Sequence, residues 1–158
     1  MRARPWITTV VVGLLAVGAG GAAFASAADD EHAEKTFTLI QHETNFAFIT
    51  HGPQPAAGDT IVIRDDLFRS GEHGQATEKV GFDNIQCTVT FESHLLCHAA
   101  TELFGRGELT QQTVIALPPP SNFDAAVTGG TENFRGARGE VHRVQLSQTD
   151  SRLTFQLL

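Results

Sequence analysis

The side chains best suited to acid-base chemistry in this sequence are a few carboxylates and arginines set among apolar segments. Glu43 follows an alternating apolar run and stands in the sequence QHETNF, two residues before Asn45. A carboxyl group enclosed by apolar side chains holds its proton tightly, because burial disfavours the charged form, so it can act as a general acid or stabilise a developing cation. A solvated glutamate at the edge of the domain is the alternative. We take Glu43 as the first catalytic candidate.

A second group of carboxylates, Asp65 and Asp66, stands in the sequence IRDDLF. Adjacent residues of a strand face opposite sides, so at most one of the two points inward and they do not form a dyad. Asp66 shares its face with Arg64, which leaves a surface ion pair as one interpretation and a substrate-binding carboxylate as the other. Asp66 is therefore included among the substrate-binding candidates.

The stretch VTGGTENFRGARGEV, residues 127–141, combines four glycines with two arginines. Because glycine adopts positive φ at little cost, the glycines are expected to end one strand and to begin the next: Gly129, Gly130, Gly136 and Gly139. In a structural interpretation, Phe134 fills the core and Arg135 or Arg138 holds the loop in place. In a catalytic interpretation, Arg138 faces a dry interior and binds a carboxylate or stabilises negative charge.

Eight segments from residue 35 onward are rich in Val, Ile, Thr and Phe and are separated by Gly, Pro, Asn, Asp or Ser, as is typical of strands joined by turns. They are residues 35–43, 59–68, 79–91, 95–104, 107–117, 123–129, 138–148 and 151–158. Regular strand spacing with short turns predicts an all-β antiparallel barrel or sandwich rather than alternating βαβ units.

Residues 44–57, TNFAFITHGPQPAA, are predicted to form a loop, because Pro53 and Pro55 remove backbone donors and fix φ. Loops over the mouth of a barrel commonly carry a ligand site. One interpretation is an ordinary connector with its two phenylalanines packed on the core. The other is a binding loop that closes over an apolar guest, with substrate-binding residues Asn45, Phe46, Phe48 and Pro53.

The two cysteines, Cys87 and Cys97, are symmetric about Glu92. A hairpin that turns through Glu92 and Ser93 would place them opposite one another, within bridging distance. They lack a CxxC pattern, and an exported chain matures in an oxidising compartment. We therefore predict a disulfide.

The first residues have the order of a secretory signal peptide. Arg2 and Arg4 precede an uncharged apolar and small-residue segment, residues 6–28, and acidic residues follow. Cleavage after Ala27 would leave a short acidic tail, residues 28–34, and a single domain, residues 35–158. An uncleaved anchor is the alternative, which the Gly- and Ala-rich second half of the segment disfavours. The prediction is an extracellular protein with no membrane span after cleavage.

Charge and motif content argue against several classes of partner. Loss of the two leader arginines changes the formal net charge from -7 to -9, and such a surface repels nucleic acid and anionic lipid. The seven histidines show no ligand spacing, since His94 and His98 share a strand face and Cys97 lies on the other. There is no phosphate-binding loop and no dinucleotide fingerprint, so neither a metal nor a cofactor is expected.

Several motifs resemble those of two plant families. AVTGGTENFRGARGEV, residues 126–141, resembles the Gly-Gly-Thr, Phe-Arg and Ala-Arg-Gly signature of dirigent proteins, and its first half resembles a segment of allene oxide cyclases. His42 and Glu43 resemble a dirigent His-Asp pair, and RDDLF resembles the dirigent Asp-Asp-Leu strand. The triplet from Glu43 to Asn45 is similar to the Glu-x-Asn of allene oxide cyclases. The resemblance covers roughly residues 37–157.

The resemblance implies an eight-stranded antiparallel β-barrel whose interior, the lumen, holds a reactive hydrophobic small molecule and guides its ring closure or coupling without a cofactor. In dirigent proteins the acidic residue that matches Glu43 lies in the lumen and is implicated in steering a quinone methide. His42, beside it, joins the substrate-binding candidates. The resemblance also implies a homotrimer, which would cover apolar side chains taken to face outward, among them Val141, Leu153 and Phe155.

The sequence leaves two functions of a ligand-binding barrel open, beside a structural or stress protein of the envelope that holds no ligand. Holding a flexible or reactive guest in one shape supplies rate and stereocontrol through orientation, so few conventional catalytic residues are needed. One function is therefore a cofactor-independent cyclase or isomerase. The other is a non-catalytic lipid- or metabolite-binding barrel at the cell envelope.

Overall fold

Eight antiparallel strands close into one barrel in which each strand pairs with its neighbours in the sequence and the last pairs with the first. The computed structural model describes residues 35–158. The strands are β1 Thr36–Ile49, β2 Thr60–Ser70, β3 Ala76–Val89, β4 His94–Leu103, β5 Gly107–Ala116, β6 Asn122–Gly130, β7 Gly139–Gln145 and β8 Asp150–Leu157. The predicted eight-stranded all-β barrel is confirmed.

The predicted signal peptide, residues 1–27, and the acidic tail, residues 28–34, lie outside the described residues. Both remain predictions. Across residues 35–158 there is no helix with the length and apolar character needed to cross a membrane.

The strands alternate between lumen-facing and solvent-facing side chains, as the sequence pattern indicates. On β5, for example, Leu109, Gln111 and Ile115 are buried, whereas Glu108, Thr110 and Gln112 are exposed. The buried positions are mostly apolar, and their removal from water is the main favourable contribution to folding. Gln111 is polar at such a position, and other strands have the same exception at the same level.

The buried side chains form two apolar clusters, one toward each end of the barrel. The first contains Phe37, Leu39, Leu67, Leu103, Leu109, Ala125, Val127, Phe134, Val141, Leu153 and Phe155. The second contains Ile61, Cys87, Val89, Leu95, Cys97 and Ile115. On each of β3, β4 and β5, one buried polar residue lies between the two clusters. These residues are Asp83 on β3, Thr101 on β4 and Gln111 on β5. The barrel is thus layered, with polar groups between two apolar regions.

Phe134 closes the end of the barrel that holds the first cluster. It ends a short 3-10 turn, Glu132–Phe134, and only 1% of its surface is exposed. Its ring centre lies 6.1 Å from that of Phe37. A Cβ on Gly130 would come within 2.5 Å of the Phe134 carbonyl oxygen, so the turn can pack here only over glycine. The predicted role of Phe134 in filling the core is confirmed.

The glycines of this stretch end β6 and begin β7 as expected, but for different physical reasons. Gly136 and Gly139 have positive φ, 76° and 144°. Gly129 and Gly130 do not have positive φ, and position 130 requires glycine because Phe134 approaches it closely. The sequence interpretation, which gave all four the same role, is corrected on this point.

Two further expectations are corrected by the strand directions. Val141, Leu153 and Phe155 belong to the first cluster and face the lumen, so they give no support to a trimer. Residues 44–49 are strand rather than loop: after a register shift between Glu43 and Asn45, Phe46 and Phe48 pair with Ile63 and Ile61 of β2. Their apolar pattern outweighs the turn signal of the prolines, which follow only after β1 has ended.

The connection between β1 and β2, residues 50–59, is organised by Asp59. Its fully buried carboxylate accepts hydrogen bonds from the backbone N–H groups of His51, at 3.0 Å, and Ala56, at 2.9 Å. The His51 ring Nδ1 lies 2.8 Å from the same carboxylate. The hydrogen bond to His51, followed by that from Ala56, lowers the pKa of Asp59. One charged side chain therefore fixes the loop beside the second cluster.

The predicted disulfide is confirmed. β3 and β4 are joined by the turn Phe91–Ser93, in which Glu92 and Ser93 both have positive φ. Cys87 and Cys97 are directly opposite in the register, with an S–S distance of 2.01 Å. The bridge links two neighbouring strands within the second cluster.

The role of Phe134 predicts the effect of removing its ring. Phe134→Ala should lower the free energy of unfolding by about 3–5 kcal/mol, since it leaves a cavity in the closed end of the barrel. Phe91→Ala is the matched control, because Phe91 is 83% exposed, and its effect should stay within about 0.5 kcal/mol. Urea denaturation measures both. Equal losses in the two variants would contradict the closed end described here.

Candidate functional site

A cavity of about 350 Å³ occupies the lumen on the side of the second apolar cluster. Much of its wall is apolar, with contributions from Ile61, Ile63, Ile85, Leu95 and Phe123. Both cysteines of the disulfide also line it. A cavity of this size suits a small molecule, since ligand pockets commonly measure about 300–1,000 Å³.

Three carboxylic acids lie side by side across the wall of this cavity. Glu43 on β1 is directly opposite Asp65 on β2, and Asp65 is directly opposite Asp83 on β3. All three line the cavity. We call Glu43, Asp65 and Asp83 the carboxyl row. Like charges at directly opposite positions destabilise a sheet, so this arrangement opposes folding unless protons or hydrogen bonds offset it.

Asp83 is the hydrogen-bonded member of the carboxyl row. Its carboxylate accepts a hydrogen bond from Gln41 Nε2 at 3.0 Å and another from the Thr101 hydroxyl. Gln111 Nε2 donates in turn to Thr101 Oγ1 at 2.5 Å. Burial raises the pKa of Asp83 to about 6, against the opposing effect of these hydrogen bonds. Asp83 is therefore held in place by side chains from β1 and β4.

Asp65 is the member of the row that has a buried oxygen without a hydrogen-bond partner. The residue is only 3% exposed, and the unpartnered atom is Oδ1. Burial, reinforced by the charges of Asp83 and Glu43, raises the pKa of Asp65 to about 7. Both its protonated and its ionised forms are then populated near neutral pH. That property suits a group that donates and accepts protons.

Arg143 on β7 supplies the positive charge of the cavity. Its Nε donates a hydrogen bond to Gln41 Oε1 at 3.3 Å, and its guanidinium carbon lies 5.5 Å from the centre of the Phe123 ring. Burial lowers the pKa of Arg143, while Asp65 and Glu43 act in the opposite direction. No ion pair found within residues 35–158 involves this guanidinium. Its remaining N–H groups are available to a guest.

Two of the residues expected in the site line the cavity. Glu43 is partly buried, and its backbone N–H donates to the Thr149 carbonyl at 2.8 Å. A register shift between Glu43 and Asn45 follows, and it brings Phe46 onto the same face as Glu43. Phe46 is 56% exposed, which places it where the cavity meets solvent. Glu43 and Phe46 therefore remain site candidates.

Other expected residues lie away from the cavity wall. His42 is exposed, and its Nδ1 lies 2.7 Å from an Asp150 carboxylate oxygen. Asp66 pairs with Lys79 at 2.7 Å, so its ion pair involves a partner other than Arg64. The cavity lining does not include the exposed residues Asn45, Phe48 and Pro53. The structure therefore gives no contact with the cavity for these five residues.

Arg138 is also placed differently from the expectation. It lies at the start of β7, near the closed end, where its Nη1 donates to the Ala137 carbonyl at 2.7 Å and its side chain is exposed. The idea of an arginine in a dry lumen applies instead to Arg143. This corrects the catalytic assignment of Arg138 and favours the structural interpretation.

Asp65, Asp83 and Arg143 were not selected from the sequence. The signal that identifies Asp65 is its position two residues from both Ile63 and Leu67, which are buried or partly buried on the lumen face. A charged residue in phase with the apolar positions of a strand is unusual enough to indicate a buried site. Within the described residues, no group of His, Cys, Asp and Glu side chains is placed to hold a metal ion.

Comparison with known proteins identifies the fold. No family model and no curated protein matches the chain. A pyocyanin demethylase structure matches with a TM-score of 0.65 and 24% identity, over 78% of this chain and 99% of its own. A pterocarpan synthase dirigent protein matches with a TM-score of 0.58 and 16% identity, over 77% of this chain and 91% of its own. The chain has the dirigent-type barrel.

A third solved structure extends the range of activities found on this fold. An exo-specific intermolecular Diels-Alderase matches the chain with a TM-score of 0.55 and 12% identity, over 77% of this chain and 96% of its own. The predicted resemblance to dirigent proteins is confirmed at the level of the fold, since dirigent structures share this barrel. One barrel serves different reactions, so the activity has to be argued from the lumen residues.

The raised pKa of Asp65 predicts a pH-dependent stability. The folded chain holds its proton through a range in which the unfolded chain has lost it, so Asp65 lowers stability as the pH rises from about 4 to about 7. Asp65→Asn removes this effect. The stability of the variant relative to wild type should therefore increase on the order of 3 kcal/mol between about pH 4 and about pH 8.

Denaturant unfolding at several pH values measures this difference. Asp66→Asn is the matched control, because Asp66 is the next residue in the chain but faces outward beside Lys79. It should keep the pH dependence of the wild type. A parallel pH profile for Asp65→Asn and wild type would contradict the assignment of Asp65 as a buried, proton-holding group.

Proposed function

We propose that this protein binds a hydrophobic small molecule in its lumen and steers its cyclisation or stereoselective coupling through its own side chains, as a cofactor-independent cyclase or isomerase. The observation that carries the proposal is the carboxyl row, with the unpartnered Asp65 facing an apolar cavity. A simple storage cavity gains nothing from three neighbouring acids, two of them buried, because they oppose folding. A proton-transfer site requires such groups.

The chemistry follows from the two forms of Asp65. Its protonated form donates to an oxygen or an unsaturated carbon of the guest, and positive charge develops on the guest as the proton is transferred. The Glu43 carboxylate stabilises that charge. Ring closure or coupling then consumes the cationic centre, and loss of a proton to Asp65 restores the starting form of the site. No net oxidation occurs, and each proton is returned.

Arg143 and the polar network position the guest and the acids. The guanidinium offers N–H groups to an oxygen of the guest, on the opposite side of the lumen from β3. Gln41 joins the two sides, since it accepts from Arg143 and donates to Asp83. Orientation of the guest by these fixed groups lowers the barrier through proximity.

The comparisons support the reaction class in general terms. One protein with this fold is an intermolecular Diels-Alderase and another is a pterocarpan synthase dirigent protein. The barrel therefore accommodates bond-forming reactions of small molecules. A non-catalytic lipid- or metabolite-binding barrel at the cell envelope would use the same cavity but would leave its guest unchanged.

The proposal includes export of the chain with cleavage after Ala27. The disulfide supports it, because such bonds persist in oxidising compartments outside the cytosol. It also includes a hydrophobic small molecule as the partner and a protein with no membrane span after cleavage.

A homotrimer is proposed for the assembled protein. Its support is the resemblance to dirigent proteins together with exposed apolar side chains on the outer face, among them Val62 and Val114. Light scattering of the purified protein should report three chains per particle. A monomer at micromolar concentration would remove the trimer from the proposal.

Turnover tests the proposed function. The purified protein is incubated with a metabolite extract of the producing organism and followed by mass spectrometry. A product that appears only with active protein supports the proposal, whereas a guest that is retained and recovered unchanged indicates a carrier.

Variants of Glu43 and Asp65 then test the role of each acid in turnover. Glu43→Gln and Asp65→Asn should each lower turnover by about 10²–10⁴-fold while the guest still binds, since the first removes the charge that stabilises the cationic guest and the second removes the proton-transferring group. Arg138→Leu and Asp66→Asn are controls that should keep wild-type turnover. Wild-type rates in both lumen variants would show that the carboxyl row is not the reactive site.

A further inference from the structure

The charges of the cavity are unbalanced. Its wall contains the three acids of the carboxyl row against one guanidinium, that of Arg143. Arg143 is hydrogen bonded to Gln41 and makes no ion pair within the described part of the chain, so it does not neutralise any acid by contact. Of the two buried acids, Asp83 has its hydrogen bonds supplied by the protein. Asp65 does not.

The unpartnered oxygen of Asp65 is the second observation, independent of the charge count. A buried acceptor without a donor opposes folding, and a native structure usually supplies the missing partner. Here the oxygen belongs to a residue of the cavity wall. The missing donor therefore has space to come from a guest. A cationic N–H group satisfies the hydrogen bond and the charge together, and such charge-assisted bonds are about twice as strong as neutral ones.

The remainder of the wall defines the body of the guest. Ile63, Ile85 and the disulfide provide an apolar surface, and Phe46 and Phe123 add aromatic rings. Aromatic rings favour a flat apolar body and are attracted to a positive charge. The cavity volume of about 350 Å³ limits the guest to a few fused rings or their equivalent.

From this arrangement we propose that the lumen selects a hydrophobic organic cation, a flat aromatic body bearing a protonated nitrogen, and that this nitrogen donates its hydrogen bond to Asp65. The inference rests on the proposed function, because it names the substrate class of the same cavity: transfer of the N–H proton from the guest to ionised Asp65 gives the protonated acid from which the proposed reaction starts. It adds a charge requirement that neither the fold nor cavity size contains.

Binding of such a guest is linked to pH. The cation requires the ionised form of Asp65, so its affinity increases as the pH rises through the range in which Asp65 loses its proton. The groups that face Asp65 act on this equilibrium: Glu43 on β1 and Asp83 on β3 favour the proton, whereas Arg143 on β7 and His42 on the outer side of β1 oppose it. A neutral guest of the same shape has no such requirement.

The test compares three probes of similar shape by calorimetry at about pH 8. They are 9-aminoacridine, which is cationic, 9-aminoanthracene, which is neutral, and anthracene-9-carboxylate, which is anionic. The cation should bind at least about tenfold more tightly than the neutral probe, as expected for one charge-assisted hydrogen bond, and the anion should bind most weakly. Lowering the pH to about 6 should reduce only the preference for the cation.

Two variants are expected to change the preference for the cationic probe in opposite directions, which keeps the result interpretable. Asp65→Asn should remove the preference for the cation and leave the neutral probe bound. Arg143→Gln should increase the preference for the cation, because it removes the guanidinium charge from the cavity. Asp66→Asn controls for attraction to the acidic outer surface and should behave as wild type.

The outcomes separate this inference from the proposed function. Equal binding of the cation and the neutral probe, or a preference that survives Asp65→Asn, would overturn the inference even if turnover of some neutral guest is found. A preference that depends on Asp65, without turnover of any guest, would support the inference and indicate a carrier of organic cations.

Discussion

The placement of three carboxylic acids, two of them buried, at directly opposite positions of three neighbouring strands is the constraint on which the rest of this barrel depends. Glu43, Asp65 and Asp83 would repel one another if all were ionised, and a low-dielectric lumen strengthens that repulsion. Two responses are visible. Hydrogen bonds from Gln41 and Thr101 stabilise one acid, and the raised pKa of Asp65 allows a proton to neutralise another.

The two apolar clusters lie on either side of this polar layer, and their burial offsets the unfavourable free energy of placing the acids together. At the closed end, Phe134 and its neighbours form an apolar cluster. At the other end, the disulfide-linked strands surround a cavity instead of filling it. Gly130 contributes to the closed end, because its lack of a Cβ allows the turn that carries Phe134 to pack against the barrel. The carboxyl row thus lies between a filled apolar cluster and a cavity.

The sequence was sufficient for the parts of the structure that depend on local pattern. Alternation of apolar residues located all eight strands, and the symmetry of Cys87 and Cys97 about one turn located the disulfide. The sequence was insufficient where a register shift changes which side chains of a strand face inward. β1 continues past the register shift after Glu43 into residues that were predicted to form a loop. The choice of Asp65 over Asp66, by contrast, was within reach of the sequence, because Asp65 is in phase with Ile63 and Leu67 along β2.

Closure of the barrel explains the other differences. Arg138 precedes β7 and is exposed, whereas Arg143, five positions later, lines the cavity and contacts Gln41 two strands away. His42, next to Glu43, faces outward because strand neighbours alternate, and it pairs with Asp150 of β8. Such long-range relations are not encoded in spacing along one strand. They arise when β8 pairs with β1.

The ionisation of Asp65 in the folded protein is the most direct test of this account. Carbon-13 NMR of the side-chain carboxyl groups, with the Asp65 signal assigned by comparison with Asp65→Asn, follows that ionisation as the pH changes. The account predicts a midpoint near 7 for Asp65, above the value of about 3.9 for an unperturbed aspartate. A midpoint close to the unperturbed value would show that Asp65 is a permanently ionised group and would contradict its role as the proton donor of the lumen.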